Sequence, residues 1–328
     1  MNRYGLLIGL LLLLASCRAK PGTAEAKGPA PTESAVVQEQ VFPFPKIPAT
    51  LTEPETRKAY LLTHYWEQLD FADTTLVNNR DVTEQGFVNF IALLAEENTP
   101  EELIRESLKN WSTRFLPEAH ARKVLTQMAD DYWYNPNSPF YNERLYGLYL
   151  ETLLSQLPQE DAMRFSYNFK LELLKRNQVG KLATDFRYEL SDGTRRSLMA
   201  TPVKGNRLLL LFYDPECESC HEVLLQMATD KALAAAVKTE QISVLAIYTE
   251  GNEDAWRKNL PDMPAGWMVG MDREVVKNEA LYDLKAMPSL YLLDGKKQVL
   301  LKDAPYEAIR QALSLKNEER FIIINLST

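Results

Sequence analysis

Two patterns of apolar residues divide the chain. From about Phe42 to Leu174, apolar residues recur at intervals of three or four, which is typical of amphipathic helices. Capping-box patterns at Thr52–Glu55 and Thr99–Glu102 predict two of the helix starts. We therefore predict an all-α domain over residues 42–177, with five to seven helices packed as an irregular bundle.

Beyond Val179 the pattern changes to strands that alternate with helices. Continuous apolar runs at Arg207–Tyr213 and Ile242–Tyr248 predict two central strands that are buried on both faces. This order predicts a small α/β domain with a mixed sheet flanked by helices, over residues 178–316. Its other predicted elements are hairpins at 186–199 and 289–301, a short strand at 267–270, and helices at 217–237, 253–260, 275–284 and 305–315.

Aromatic residues cluster around a proline-rich loop between Tyr132 and Tyr149. Such a cluster can form a platform for a ligand or peptide. Aromatic side chains also bury large areas, and here they can hold the loop between two helices. The sequence favours the packing role.

The N-terminus carries a targeting signal. Leu6–Ala15 is an apolar run with the length of a signal-peptide core, too short for a stable membrane span. The residues that follow complete the sequence Leu14-Ala15-Ser16-Cys17, which resembles the lipobox of bacterial lipoproteins. The resemblance implies cleavage before Cys17 and a lipid on its sulfur, so that residues 1–17 are a lipoprotein signal peptide. A plain signal peptide with a chance cysteine is the alternative.

Two segments have no clear place in either domain. Residues 18–41 are rich in Ala, Pro, Gly, Thr, Lys and Glu and lack apolar periodicity, which predicts a flexible tether. Residues 317–328 form a C-terminal tail with an apolar run that the pattern does not place.

Composition restricts the classes of function. The chain has 328 residues, a formal net charge of −8 and no long basic run, which argues against a nucleic-acid partner. If Cys17 is lipidated, only Cys217 and Cys220 remain among three cysteines. We predict no metal site and no cofactor, because His64 and His120 lack neighbours at ligand spacing and two cysteines alone do not complete a zinc site.

The remaining two cysteines form the motif Cys217-Glu-Ser-Cys220, directly after the predicted strand at 207–213. The free N–H groups and dipole at a helix start stabilise a thiolate, so Cys217 is the predicted nucleophile and Cys220 the more buried, resolving thiol. His221 extends the motif to C-x-x-C-H, which is also the pattern of covalent haem attachment. The apolar strand that precedes the motif favours the dithiol.

The order of a strand, C-x-x-C, a helix and later Met287-Pro288 before a hairpin resembles the thioredoxin fold. Its first hairpin resembles the membrane-anchored, extracytoplasmic thiol-disulfide oxidoreductases of the TlpA and ResA type. The resemblance implies that Pro288 is a cis-proline opposite the dithiol and that Met287 offers backbone groups to a substrate. The helical region resembles the DUF5106 domain found before thioredoxin-like domains in lipoproteins, which implies no chemistry.

The chain also departs from the family pattern. Glu216 and Ser219 stand where the family usually has Trp before the first cysteine and often Pro before the second. Glu222 lies near, but not at, the position of a glutamate in ResA-type proteins, and it and His221 are candidates for proton transfer. Carboxylates crowd the dithiol and are expected to disfavour a thiolate, which predicts a reducing couple. They are Asp214, Glu216, Glu218 and Glu222.

These patterns together predict a membrane-anchored, extracytoplasmic thiol-disulfide oxidoreductase that exchanges with protein thiols and a redox partner. The expected location is the envelope of a Gram-negative-type bacterium, facing the periplasm or the cell surface. One alternative is a redox-inactive binding or scaffold lipoprotein whose cysteines form a structural disulfide. A minor alternative is c-type haem attachment.

Overall fold

The computed structural model describes residues 41–315, and the predicted lipobox at Cys17, nearly all of the tether and the tail 317–328 lie outside them. The described N-terminal part is helical, as predicted, with π-helical turns at Arg80–Glu84 and Asp130–Tyr134. Its helices are α1 (Pro54–His64), α2 (Thr74–Val77), α3 (Gln85–Leu94), α4 (Glu101–Phe115), α5 (Ala119–Ala129), α6 (Glu143–Gln156) and α7 (Met163–Lys175).

Aromatic side chains fill the core of this helical domain. Trp111 on α4 stacks on Trp66 with ring centroids 5.7 Å apart, and it also contacts Trp133 and Tyr149. All four side chains are buried. Most of the aromatic cluster predicted between Tyr132 and Tyr149 therefore packs the core, as the packing interpretation expects.

Both predicted capping boxes are wrong. Helix α1 begins at Pro54, so its N-cap is Glu53 rather than Thr52, and no side chain caps it. The N-cap of α4 is Pro100, because the Thr99 hydroxyl instead donates to the Leu93 carbonyl at 3.0 Å. In both places the proline fixes the helix start.

The C-terminal part is built on a seven-stranded mixed sheet in the order β2-β1-β5-β4-β3-β6-β7. The central strand β3 is parallel to β4 and antiparallel to β6. Its side chains alternate between two apolar layers, with Leu209, Leu211 and Tyr213 in one and the intervening residues in the other. The strands are β1 (Arg187–Leu190), β2 (Arg195–Ser197), β3 (Arg207–Tyr213), β4 (Ser243–Tyr248), β5 (Met268–Met271), β6 (Ser289–Asp294) and β7 (Val299–Leu301).

The helix predicted over 217–237 is two helices, α8 (Glu218–Thr229) and α9 (Lys231–Lys238). Asp230 separates them with an extended backbone and caps α9, accepting the N–H groups of its first turn. The same carboxylate accepts the Nε–H of Arg310 at 2.6 Å. A capping aspartate thus ends one helix and begins the next.

The helix predicted over 275–284 ends early. The structure contains only α11 (Val275–Asn278), because Ala280 takes a left-handed conformation with φ +49° and turns the chain away. The segment that follows runs to Met287 without regular structure. The other helices of this part are α10 (Glu253–Asn259) and α12 (Tyr306–Ala312).

The helical domain contacts this irregular segment directly. Asn177 donates through Nδ2 to the Leu281 carbonyl at 2.9 Å, and the Tyr134 hydroxyl donates to Asp283 Oδ1 at 2.8 Å. The described residues belong to one compact unit. Between residues 41 and 315, no helix has both the length and the apolar character needed to cross a membrane.

Candidate active site

The end of β3 and the start of α8 position the two cysteines. Cys217 is the N-cap of α8, with φ −91° and ψ 124°, and its carbonyl accepts the N–H of His221 at 3.1 Å. Cys220 lies one turn further on, fully buried, whereas Cys217 is partly exposed. Both are free thiols in the structure. The arrangement places an accessible sulfur above a buried one, as the sequence predicts.

The pairing of β3 with β6 brings Met287 and Pro288 to the same place. Because the strands are antiparallel and Phe212 lies opposite Ser289, the residues just before β6 lie beside those just after β3. The Met287–Pro288 peptide bond is cis, as the family resemblance implies. The Met287 carbonyl oxygen is 3.8 Å from Cys217 Sγ.

Ser219 links these two parts of the site. Its hydroxyl donates to the Met287 carbonyl at 2.8 Å and lies 3.1 Å from Cys217 Sγ. A hydroxyl carries one proton, so it can donate to only one of these acceptors at a time. When Cys217 is a thiolate, the sulfur is the stronger acceptor. Ser219 therefore responds to the protonation state of Cys217.

Hydrogen bonds favour the Cys217 thiolate. Partial burial of this sulfur opposes its ionisation, but the Ser219 hydroxyl and the Cys220 and Ser219 backbone N–H groups outweigh that cost. The pKa of the Cys217 thiol is consequently lowered from its ordinary value. This result contradicts the expectation that the surrounding carboxylates destabilise the thiolate. The carboxylates near the dithiol therefore do not support a reducing couple, and the redox direction stays a prediction.

The buried cysteine behaves in the opposite way. Burial raises the pKa of the Cys220 thiol to about 12, although its sulfur accepts the backbone N–H of Asp214 at 3.4 Å. Cys220 therefore stays protonated as long as Cys217 is not joined to a substrate sulfur. The pKa of Cys217 is lowered and that of Cys220 is raised, which is the order expected for a nucleophile and a resolving thiol.

The two candidates for proton transfer lie at the surface of α8. His221 and Glu222 are exposed, and within residues 41–315 neither forms a hydrogen bond to either sulfur. Glu216 and Glu218 are exposed as well, so solvent and salt screen their charges from the sulfurs. A role for His221 or Glu222 in proton transfer stays a prediction.

Replacing Ser219 by alanine is expected to raise the pKa of Cys217, because it removes one hydrogen bond to the thiolate, of about 1 kcal/mol. The pH dependence of Cys217 alkylation by iodoacetamide measures this change. Ser191→Ala, in the exposed turn between β1 and β2, is the control and should match the wild type. Equal titration curves for Ser219→Ala and the wild type contradict the assigned hydrogen bond.

Sequence reasoning treated Ser219 only as a departure from the family pattern. Its position, two residues after the nucleophile in the first helical turn, is the one signal that could have identified it. Its second partner, Met287, lies 68 residues further along the chain, and only the fold brings the two together.

Comparisons with known proteins agree with this architecture. The family model described as a domain of unknown function (DUF5106) matches residues 16–177. The crystal structure of a thioredoxin-like protein from Bacteroides caccae shares 34% identity with a TM-score of 0.70, covering 84% of this chain and 98% of that one.

Two shorter structures match the C-terminal part. The C-terminal domain of an uncharacterized protein from Bacteroides fragilis shares 36% identity over 42% of this chain and 98% of that one, with a TM-score of 0.40. A domain of a possible thiol-disulfide isomerase from Cytophaga hutchinsonii shares 26% identity over 42% of this chain and 92% of that one, with a TM-score of 0.36. No curated protein matches. The chain belongs to the thioredoxin-like family and carries a DUF5106 domain in its N-terminal half.

Proposed function

We propose that the protein is a thiol-disulfide oxidoreductase that exchanges disulfides at Cys217 and Cys220. One observation carries the proposal. A partly exposed cysteine with a lowered pKa lies beside the cis Met287–Pro288 carbonyl, above a fully buried second cysteine. A structural disulfide needs neither the separated pKa values nor a backbone carbonyl beside the exposed sulfur.

Two exchange steps follow from this arrangement. The Cys217 thiolate attacks one sulfur of a substrate disulfide, forms a mixed disulfide and releases the other substrate sulfur as a thiolate, which takes up a proton. Cys220 then loses its proton and attacks Cys217 Sγ, which releases the second substrate thiol. The protein gains the Cys217–Cys220 disulfide and the substrate gains two electrons and two protons. A dithiol reductant restores the pair.

The Met287 carbonyl supports a peptide substrate during these steps. In the thiol form Ser219 donates to this carbonyl, as the 2.8 Å distance indicates. A carbonyl oxygen has two lone pairs, so this one can also accept a substrate backbone N–H, and when Cys217 ionises the Ser219 proton can turn to the thiolate. Pro288 removes a competing N–H donor at the next residue.

Haem attachment fits the site less well. Covalent attachment through C-x-x-C-H uses both sulfurs, yet Cys220 is 0% exposed and its sulfur accepts the Asp214 N–H. Exposing Cys220 to a porphyrin requires the first turn of α8 to unfold. The buried sulfur therefore favours dithiol chemistry.

The cellular setting is part of the proposal and rests on the sequence. A lipid on Cys17, followed by the tether over 18–41, would hold the domains at a bacterial envelope membrane, facing the periplasm or the cell surface. Disulfide exchange is compatible with an extracytoplasmic compartment, where disulfides persist. The partners in this setting are protein thiols or disulfides and a redox partner.

Turnover of a protein disulfide tests the function. Reduced protein, with excess dithiothreitol as reductant, is mixed with insulin, and precipitation of the freed B chain is followed by turbidity. We expect a rate well above that of dithiothreitol alone. In a separate reaction without dithiothreitol, reduced protein mixed with insulin should end with a Cys217–Cys220 disulfide. A rate equal to that of dithiothreitol alone overturns the proposal and favours the scaffold alternative.

A further inference from the structure

The segment that carries Met287 and Pro288 is held from the helical domain. Lys285 precedes Met287 by two residues, and its Nζ donates to Glu143 Oε1 at 2.7 Å. Glu143 is the first residue of α6, in the helical domain. Lys285 Nζ also lies 3.0 Å from Asp283 Oδ2 within its own segment. A charged contact between the two domains thus lies next to the cis-proline.

The residue after the cis-proline, Ser289, is hydrogen-bonded to the same group of charged side chains. The Ser289 hydroxyl donates to Asp303 Oδ1 at 2.6 Å, and Asp303 Oδ2 lies 3.7 Å from Lys285 Nζ. Both ends of the Met287–Pro288 segment are therefore tied to one set of side chains. We call this set the lysine cluster; it consists of Glu143, Asp283, Lys285, Lys302 and Asp303.

Most side chains of the lysine cluster are buried. The side chains of Lys285, Asp283 and Asp303 are 2%, 5% and 8% exposed. Burial disfavours charge on Lys285, but Asp283 and Glu143 outweigh it, so its pKa lies above the ordinary value. Buried charges are tolerated only when they are paired, which makes the positions of these side chains interdependent.

Glu143 is itself fixed from several sides. The Tyr141 hydroxyl donates to its Oε1 at 2.9 Å, and Lys302 Nζ donates to its Oε2 at 2.9 Å. Lys302 Nζ also donates to the Leu174 carbonyl at the end of α7. The carboxylate lies in the first turn of α6, where the helix dipole favours a negative charge. Glu143 is therefore a fixed point to which Lys285 is attached.

We propose that Glu143 is a positioning residue through which the helical domain sets the place of the Met287 carbonyl for peptide substrates. This inference rests on the proposed disulfide exchange. A peptide pairs with the Met287 backbone, whereas a small disulfide needs only the Cys217 sulfur. Loosening Lys285 therefore weakens peptide binding and leaves the chemistry at Cys217 intact. The helical domain acts on the site without touching the cysteines.

Glu143→Gln in the full chain tests this role. With all groups ionised, the lysine cluster holds three carboxylates and two ammonium groups, so the substitution removes the excess negative charge and is compatible with folding. The matched control is Glu151→Gln, also on α6, which breaks an exposed ion pair with Arg105. Each variant is assayed with insulin and with bis(2-hydroxyethyl) disulfide, which has no peptide backbone.

We expect Glu143→Gln to lower kcat/KM for insulin about tenfold, mainly through KM, because it removes binding rather than chemistry. Its rate with the small disulfide should stay within about twofold of the wild type, as should both rates of Glu151→Gln. An equal loss on both substrates, or no loss on insulin, overturns the positioning role.

Glu143→Asp keeps the charge but shortens the side chain by one CH₂ group, and it carries the same prediction if Glu143→Gln does not fold. The outcome also separates this inference from the function on which it rests. A wild-type protein that reduces neither substrate contradicts the oxidoreductase, whereas equal insulin rates in the wild type and Glu143→Gln contradict only the positioning role.

Discussion

Replacing Cys217 by serine will abolish disulfide reduction. Serine at this position is not ionised at neutral pH, and Cys220, fully buried with a pKa of about 12, cannot replace it as the nucleophile. We expect a loss of at least about a hundredfold in the insulin assay, down to the rate of dithiothreitol alone.

Cys220→Ser serves as the matched variant and should also lose turnover, but for another reason. In this protein Cys217 still attacks the substrate, and without added dithiothreitol the mixed disulfide persists because no second thiol resolves it. Intact-mass analysis should show substrate bound to Cys217 in Cys220→Ser and no adduct in Cys217→Ser. Substrate trapped on Cys220 in the Cys217→Ser protein contradicts the assignment of roles.

Replacing Lys285 by methionine will strongly destabilise the protein. It removes the cation that lies among three carboxylates, two of which, Asp283 and Asp303, are almost fully buried. Loss of one partner from a buried charge group costs about 3–5 kcal/mol, since the buried carboxylates of Asp283 and Asp303 lose the cation that faces them. Urea unfolding followed by circular dichroism measures the change.

The control for this variant is Lys277→Met, which breaks the exposed ion pair with Glu250 and should cost no more than about 0.5 kcal/mol. The loss of unfolding free energy in Lys285→Met, which we call its stability deficit, should also depend on pH. Burial already raises the pKa of Asp303, and removing Lys285 raises it further. A carboxyl whose pKa is higher in the folded than in the unfolded state stabilises at low pH and loses that contribution as pH rises.

The deficit of Lys285→Met relative to the wild type should therefore be larger at pH 8 than at pH 5. Equal stabilities of Lys285→Met and Lys277→Met, or a deficit that does not change with pH, contradict the buried charge group.

Local sequence patterns predicted the elements that build the site. The apolar run of β3 requires burial on both faces, and the motif that follows can only lie at the end of that strand. The family resemblance predicted that Met287-Pro288, just before a strand, lies opposite the dithiol with a cis peptide bond. The structure shows this cis bond. These features depend on residues adjacent in the chain or on one short motif, which is why sequence alone was sufficient.

Contacts between distant residues were not predictable in the same way. Nothing near Glu143 indicates that its carboxylate meets Lys285, which lies 142 residues away. The break at Asp230 depends on a cap and on an ion pair with Arg310, and the helical periodicity continues through it. Long-range ion pairs and helix breaks of this kind are determined by tertiary packing, which overrides local helix propensity.

The pKa of Cys217 was also not predictable from the sequence. The sequence places four acids near Cys217, which predicts a raised pKa for its thiol. In the fold, Glu216, Glu218 and Glu222 are exposed to solvent, whereas Ser219 and backbone N–H groups reach the sulfur directly. A short hydrogen bond outweighs screened charges, and its presence depends on side-chain geometry that the sequence does not contain.

The redox equilibrium of the Cys217–Cys220 pair tests the central claim most directly. The full chain is equilibrated with dithiol/disulfide buffers of graded potential, and the fraction of oxidised pair is measured by alkylation and mass analysis. We predict a reversible two-electron transition between about −270 and −120 mV, the range of thioredoxin-like exchange proteins. A pair that stays oxidised below about −300 mV, as structural disulfides do, or that never oxidises, contradicts the account.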